Sequence, residues 1–262
     1  MQGYDIATKV LLDTCRDDII RYLLDIPVRE SRILDPLPQE TVSLKRGDFP
    51  VMMIDEAGRR EMVVLEVYTK WKRTIPLHLM DYRARYMLQH GVEAISCVIL
   101  LRPSSAATDV YEDREIRFRY RLVKIYEMDA ARVVAEGPLC MLPFVPLMKG
   151  GEAALDEAEA LIYGSERSRP EKADMLTSMA ILSGLVSADM PAKLVSRRKD
   201  IMMESAAYDI IKQEGVVEGM AKGRRKTARN LLGLGILTDE QIARAAELSV
   251  EDVIRLKQEM EE

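Results

Sequence analysis

The chain has 262 residues, which allows one large domain or two smaller ones, and 48% of them are hydrophobic, which excludes wholesale disorder. The formal net charge of −5 argues against a uniformly cationic nucleic-acid-binding surface. Any binding of nucleic acid must therefore depend on local basic patches.

Three cysteines, Cys15, Cys97 and Cys140, are widely spaced and form no CxxC pair, so we expect reduced packing residues. The two histidines are too few for a histidine-rich zinc site. No signal-peptide pattern begins the sequence, and no apolar run reaches the ~18 residues of a spanning helix. We therefore expect a soluble, cytoplasmic protein with no membrane partner.

The first predicted element is helical and is followed by a hairpin. Apolar residues recur at helical spacing over residues 6–26, which predicts one amphipathic helix or a pair. Two strand-like runs then flank the turn 55–60, and the first run contains Asp48 and the second Glu66. Antiparallel pairing would bring these carboxylates together near one end of a sheet, where they could share a divalent metal of the kind a phosphodiesterase needs.

A second helix and a buried strand follow the hairpin. Pro76 is suited to a helix start, and Gly91 to its C-terminal cap. Residues 93–101 are almost continuously apolar, as expected of a strand covered on both faces. The order strand, strand, helix, buried strand predicts an α/β core.

Residues 102–115 are predicted as a loop and residues 115–128 as one strand, in which apolar residues alternate with Arg117, Arg119 and Arg121. These arginines could contact the phosphates of DNA. The competing interpretation, which we favour, is a solvated strand face whose charges discourage aggregation.

From Glu152 onward the pattern is helical, and the last part of the chain contains a basic run. Its candidate DNA contacts are Lys222, Arg224, Arg225 and Lys226, although a helical spacer with a solvated basic face is favoured here too. Three short helices are predicted over 227–235, 238–247 and 249–260, with Thr238 and Ser249 as N-caps. Glycines recur every fourth residue at Gly215, Gly219 and Gly223, a spacing that favours close helix contact.

Most of the chain resembles one known family in the order and spacing of its segments. The segments that carry the resemblance are 4–13, 47–55, 62–69, 76–87, 94–103, 118–130 and 137–148. The family is Rpn, the recombination-promoting nucleases and transposase-like proteins of the PD-(D/E)XK nuclease-like superfamily. The resemblance implies a restriction-endonuclease-like core, Mg²⁺-dependent (or Mn²⁺-dependent) DNA cleavage, and a link to recombination or mobile elements.

The resemblance also implies roles for individual residues. Asp48 and Glu66 match the acidic metal ligands, and the backbone of Val67 would add a carbonyl. Tyr68 departs from the family pattern, which has Gln there, and from the wider superfamily, which has Lys. If the strand continues, Lys70 lies on the same face as Glu66 and could supply the missing charge.

Four further positions are auxiliary candidates. Asp5 and Lys9 lie one helical turn apart in the first helix, where members of the superfamily often place an acidic residue over the site. His78 stands where the family usually has Arg, ahead of the tyrosine matched by Tyr82.

Together these observations predict a nuclease-like domain over 1–148, a helical extension over 149–212 and a basic helical tail over 213–262. The predicted activity is metal-dependent hydrolysis of DNA without a small-molecule cofactor, by a homodimer because double-strand cleavage needs two sites. The rival prediction, favoured by Tyr68, is a catalytically silent module that binds DNA or another protein, or oligomerises through its tail.

Overall fold

The computed structural model of the chain describes residues 3–34, 48–55, 57–205, 208, 223–233 and 237–261. They belong to two compact units, Met1–Tyr208 and Asp209–Glu262. Each unit has its own hydrophobic core. Within the described residues, no helix is both long enough and apolar enough to cross a membrane.

The first unit is built on a mixed five-stranded sheet. Its strands run in the order β1-β2-β3-β4-β7, with antiparallel pairing from β1 to β3 and parallel pairing from β3 to β7. The strands are β1 (Glu30–Ile33), β2 (Asp48–Ile54), β3 (Arg60–Tyr68), β4 (Ala94–Leu100) and β7 (Arg121–Lys124). A separate two-stranded sheet pairs β5 (Val110–Glu112) with β6 (Arg117–Arg119).

Helices surround this sheet, as predicted for an α/β core. They are α1 (Gly3–Leu24), α2 (Ile75–His90), α3 (Ala130–Glu136), α4 (Gly151–Gly164), α5 (Arg169–Ser183) and α6 (Met190–Met202). Residues 125–127 and 139–147 form 3₁₀ turns. The prediction of a mixed sheet flanked by helices, with helical structure after it, is confirmed.

Alternation along β3 divides the core between the two faces of the sheet. Val63 and Leu65 belong to the cluster that includes α1, whereas Met62 and Val64 belong to the cluster that includes α2. The central strands are therefore covered on both faces, which explains their almost continuous apolar sequences.

The predicted ends of α2 are also confirmed. Pro76 lies in its first turn, and Gly91 adopts φ = 63° as its C-cap, with its N–H donating to the carbonyl of Met87. Glycine is suited to this position because a side chain in the left-handed region is strained.

The predicted single strand over 115–128 is wrong, because the chain changes sheets within it. The N–H of Tyr120 still donates to Asp109, next to β5, while Arg121 begins the parallel pairing with β4. Tyr120 is buried, and its hydroxyl donates to the carbonyl of Thr108 at 2.5 Å. The predicted loop 102–115 correspondingly contains the short strand β5.

The helices after residue 148 share a core with the sheet. Leu11 of α1 and Leu176 of α5 lie in the same buried cluster as Leu65 of β3. The hydroxyl of Ser178 also donates to the carbonyl of Ala7. The boundary predicted at residue 148 therefore lies inside one compact unit.

The expectation that all three cysteines are reduced is wrong for two of them. Cys15 and Cys140 form a disulfide that joins α1 to the 3₁₀ segment 139–147, across a sequence separation of 125 residues. Cys97 is free and buried in β4. The prediction failed because cysteines far apart in the sequence can be neighbours in the fold, as Cys15 and Cys140 are.

The described residues of the second unit form three short helices, as predicted: α7 (described over 223–233), α8 (Asp239–Ala246) and α9 (Val250–Glu261). Thr238 forms a capping box with Gln241 at the start of α8. Ser249 accepts a hydrogen bond from the N–H of Asp252. Both predicted N-caps are thus confirmed.

Candidate functional site

Asp48 and Glu66 are direct partners in the antiparallel pairing of β2 with β3. Asp48 is the first residue of β2, so the pair lies at the end of the hairpin away from its turn. Residues opposed in this way share one face of a sheet. The predicted antiparallel pairing of the two acidic positions is confirmed at the level of the backbone.

The turn of this hairpin fixes the register of the pair. The carboxylate of Asp55 accepts hydrogen bonds from the backbone N–H of Arg59 at 2.7 Å and from its guanidinium at 2.8 Å. Gly58 adopts φ = 80° and donates its N–H to the carbonyl of Asp55. The backbone N–H of Arg59, followed by its side chain, lowers the pKa of Asp55 despite the opposing effect of burial.

The role of Asp55 was not predicted. Its signal in the sequence was an acid at the start of a turn containing glycine, which can accept hydrogen bonds from the N–H groups that follow it. Because strand side chains alternate, a slip of one residue at this turn would remove Glu66 from the position opposite Asp48.

Glu66 is buried, with 2% of its surface exposed. It alternates with Leu65 along β3 and so faces the α2 side of the sheet with Val64. Burial of a carboxylate is costly unless cationic or hydrogen-bonding groups compensate it. Two acids paired on neighbouring strands are an arrangement that a bound cation would stabilise.

Tyr68 is the last residue of β3, two positions beyond Glu66 and on the same face. Its ring is partly buried against the α2-side cluster, as is Trp71. Val67, between Glu66 and Tyr68, packs its side chain on the opposite face.

The premise for Lys70 is wrong, because β3 ends at Tyr68 and Lys70 lies in an exposed bend. The alternation of a strand therefore does not place its ammonium beside Glu66. Any approach to the site depends on the length of its flexible side chain.

The four auxiliary candidates are divided between the two faces of the sheet. Tyr82 is buried in the α2-side cluster, the side that Glu66 faces, and His78 is exposed on the same helix. Asp5 and Lys9 are half-buried on α1, whose apolar residues join the cluster on the other face. Of these candidates on helices, Tyr82 lies on the face of the sheet that Glu66 faces, because α2 packs there, whereas Asp5 and Lys9 belong to α1 on the other face.

The three arginines predicted as one stripe have different environments. Arg117 forms an exposed ion pair with Glu112 at 3.4 Å, and Arg119 follows it on β6. Arg121 belongs to the main sheet and donates a hydrogen bond to the carbonyl of Leu24. They are not the continuous face of a single strand.

The basic run of the tail lies in the second unit. Arg224, Arg225 and Lys226 are exposed on α7, and Arg224 is paired with Glu247 at 2.6 Å. Lys222, Gly215 and Gly219 lie outside the described residues, whereas Gly223 is a helical residue of α7.

Aspartate and glutamate carry the carboxylate oxygens that a hard cation such as Mg²⁺ prefers as ligands, and Asp48 and Glu66 are partners in the backbone register. Such an ion keeps several waters and needs only one or two protein carboxylates. Groups of three or more histidine, cysteine, aspartate or glutamate side chains arranged to hold a metal do not occur within the described part of the chain. A two-acid site of the magnesium type is consistent with the residues present.

Comparison of the chain with protein-family models, with curated proteins and with solved structures finds no match in any of the three.

Proposed function

We propose that this chain is a Mg²⁺-dependent or Mn²⁺-dependent DNA endonuclease with a restriction-endonuclease-like core. The observation that supports the proposal most strongly is the opposition of Asp48 to the buried Glu66 on neighbouring strands. Two acids at one end of a mixed sheet also agree with the resemblance to Rpn nucleases. The proposed location is the cytoplasm.

In this proposal Asp48 and Glu66 would hold the ion, together with the backbone carbonyl of Val67. When bound, the ion polarises a phosphate and lowers the pKa of a water molecule. The hydroxyl of Tyr68, on the same face as Glu66, donates a hydrogen bond that orients the phosphate. In this proposal, hydrolysis of the phosphodiester bond needs no cofactor other than the metal.

Each unit, taken by itself, has basic residues that could contact the phosphates of DNA. In the first unit Arg119 is exposed on β6 and Arg121 on β7, and in the second unit Arg225 and Lys226 are exposed on α7. A protein that contacts phosphates through such residues binds more weakly as salt concentration rises. Cleavage of both strands requires two sites, so we propose a homodimer as the active species.

The test is relaxation of supercoiled plasmid by the full chain with Mg²⁺ or Mn²⁺, beside Asp48→Asn and Glu66→Gln. Both substitutions should reduce cleavage to the level seen with EDTA, because each removes a charged ligand while keeping a similar shape. Asp81→Asn is the matched control, since Asp81 is an exposed acid of α2 paired with Arg85. Cleavage that survives either site substitution would contradict the proposal.

Two substitutions separate Tyr68 from Lys70. Tyr68→Phe removes the hydroxyl and keeps the ring in the α2-side cluster, so cleavage should fall by about 10²-fold, as for the loss of one donor to a transition state. Lys70→Ala should leave the rate within about twofold, since an exposed group outside the strand gives little preorganised stabilisation. The reverse pattern would assign the positioning role to Lys70.

A second candidate is a catalytically silent module that binds DNA or a protein. The observation that favours it is Tyr68, whose ring packs in the α2-side cluster at the position where Rpn nucleases have Gln. This candidate predicts DNA binding without cleavage at any divalent-metal concentration. Binding measured by fluorescence anisotropy beside the plasmid assay distinguishes it from the nuclease.

A further inference from the structure

The parallel strands β3 and β4 end side by side at one edge of the main sheet. β3 ends at Tyr68 and β4 at Leu100, and the N–H of Leu101 donates to the carbonyl of Tyr68 at 2.9 Å. Glu66 is two residues before the end of β3, and Asp48 begins β2 opposite it, so the acidic pair lies at the same edge. In open α/β sheets, ligands bind outside the carboxyl ends of the parallel strands.

Two loops leave this edge, and both are free of acidic residues. Residues 67–80 lead from the end of β3 into α2, and residues 94–108 comprise β4 and the loop after it. Neither range contains Asp or Glu. Because the two loops begin at neighbouring strand ends, their positive charges act on the same region of solvent.

Three cations of these loops are called the edge cations here: Lys72, Arg73 and Arg102. Lys72 and Arg73 lie between β3 and α2, and Arg102 lies two residues beyond β4. All three are exposed, and none of their side chains forms an ion pair or a hydrogen bond with the residues that the structure describes. Like charges without an acidic partner repel one another, so an anion bound beside them would be stabilised.

The backbone of Lys72 and Arg73 is held on both sides. Before them, the ring of Trp71 is partly buried in the α2-side cluster. After them, the N–H of Ile75 donates to the carbonyl of Lys72 at 3.1 Å. The loop thus joins β3 to the helix that covers the face of the sheet that Glu66 faces.

The phosphate backbone of DNA is the partner that this edge fits. Phosphates follow one another along a strand as single negative charges, and exposed Lys and Arg side chains neutralise them with release of counterions. The planar guanidinium of an arginine can bind two phosphate oxygens at once, whereas a lysine acts as a point charge. A phosphodiester bound at the Asp48–Glu66 pair would have its neighbouring phosphates within the reach of such side chains.

We propose that the edge cations bind the phosphates next to the one held at the Asp48–Glu66 pair, and so position the DNA strand. The proposal rests on the nuclease function proposed above. Lys72, Arg73 and Arg102 are positioning residues in this account, because they contact phosphates that do not react. Their contribution is to binding of the substrate and not to the chemical step.

The test is DNA binding by the full chain, measured by fluorescence anisotropy of a labelled duplex in EDTA over a series of NaCl concentrations. Lys72→Gln, Arg73→Gln and Arg102→Gln should each weaken binding by about threefold to tenfold at the lowest salt concentration. Each should also reduce the slope of log affinity against log salt concentration by about 0.9, the value for one lost phosphate contact. A merely structural role would not change this slope.

Arg60→Gln is the matched control, because Arg60 is an exposed arginine at the opposite end of β3. It removes the same charge from the chain, and its affinity should stay within about twofold of the parent with an unchanged slope. Circular dichroism verifies that each variant is folded. A loss in Arg60→Gln as large as in the edge variants, edge variants that bind like the parent, or no binding by the parent at the lowest salt concentration would overturn the proposal.

Plasmid cleavage with Mg²⁺ separates this proposal from the nuclease function. The edge variants should need at least about threefold more DNA for half-maximal cleavage, with a maximal rate within about twofold of the parent, as for lost uniform binding. A parent that cleaves while its edge variants bind like the parent would overturn only the role of the edge. A parent that binds DNA through the edge cations and never cleaves would support the edge as a binding surface and contradict the nuclease function.

Discussion

Asp48 and Glu66 are partners in the backbone register of β2 and β3, six residue pairs from the strand ends at Ile54 and Arg60 where the turn begins. The carboxylate of Asp55 holds that turn through the backbone and side chain of Arg59. A buried acid and the residue that sets its register thus belong to the same hairpin. A change that loosens the turn should therefore also disturb the register that places Asp48 opposite Glu66.

The charge of Asp55 should make stability depend on pH in the acidic range. Its pKa in the folded state is lowered from the ordinary value of 3.8, so the carboxylate stabilises the fold above about pH 4. That stabilisation is lost as the pH falls through the lower, folded-state pKa. Asp55→Asn should therefore be less stable than the parent at pH 7, by an amount that shrinks toward pH 3 in urea unfolding.

Asp81→Asn is the control for this series, because Asp81 forms an exposed ion pair with Arg85 on a helix surface. Surface pairs of this kind contribute little to stability. A difference between the parent and Asp55→Asn that is the same at pH 7 and pH 3 would show that the charge of Asp55 does not hold the turn.

A substitution in α5 should destabilise the sheet, because the two share one core. Leu65 of β3 and Leu176 of α5 are fully buried in the same cluster, so replacement of either by alanine should cost about 2–5 kcal/mol. The fluorescence of Trp71, the one tryptophan of the chain, reports unfolding next to β3. The midpoint of unfolding measured by this fluorescence should move to a lower urea concentration in both variants.

Leu161→Ala is the matched control, because Leu161 is exposed on α4 and its loss should change stability by less than about 0.5 kcal/mol. If Leu176→Ala left the Trp71 transition unchanged, the helices after residue 148 would be an independent domain, as the predicted boundary implies.

The local parts of the fold could be predicted because short-range chemistry determines them. The turn at 55–60, the caps of α2 and the N-caps at Thr238 and Ser249 each depend on residues a few positions apart. The opposition of Asp48 and Glu66 followed from the length of one hairpin.

Features that depend on distant contacts could not be predicted. Alternation over 115–128 gave the strand period but not the change of sheet after Tyr120, since both sheets impose the same period. The pairing of Cys15 with Cys140 likewise needs the packed position of α1.

The number of cysteines that react with a thiol reagent should depend on whether the protein is unfolded and whether it is reduced. Burial raises the pKa of the Cys97 thiol to about 12, against a smaller opposing effect of Arg121, so the native protein should show no reactive thiol at pH 8. Unfolding without a reductant should reveal one thiol, and unfolding after reduction should reveal three, because Cys15 and Cys140 are paired. Three thiols without reduction would contradict the disulfide.

The central claim is that Asp48 and Glu66 together hold one divalent metal, and Mn²⁺ binding tests it directly. Titration of the full chain with Mn²⁺, followed by the electron paramagnetic resonance signal of the free ion, should give one site per chain. Asp48→Asn and Glu66→Gln should each abolish that site, whereas Asp81→Asn should keep it. Mn²⁺ binding that persists unchanged in either site variant, or no binding by the parent chain, would contradict the claim.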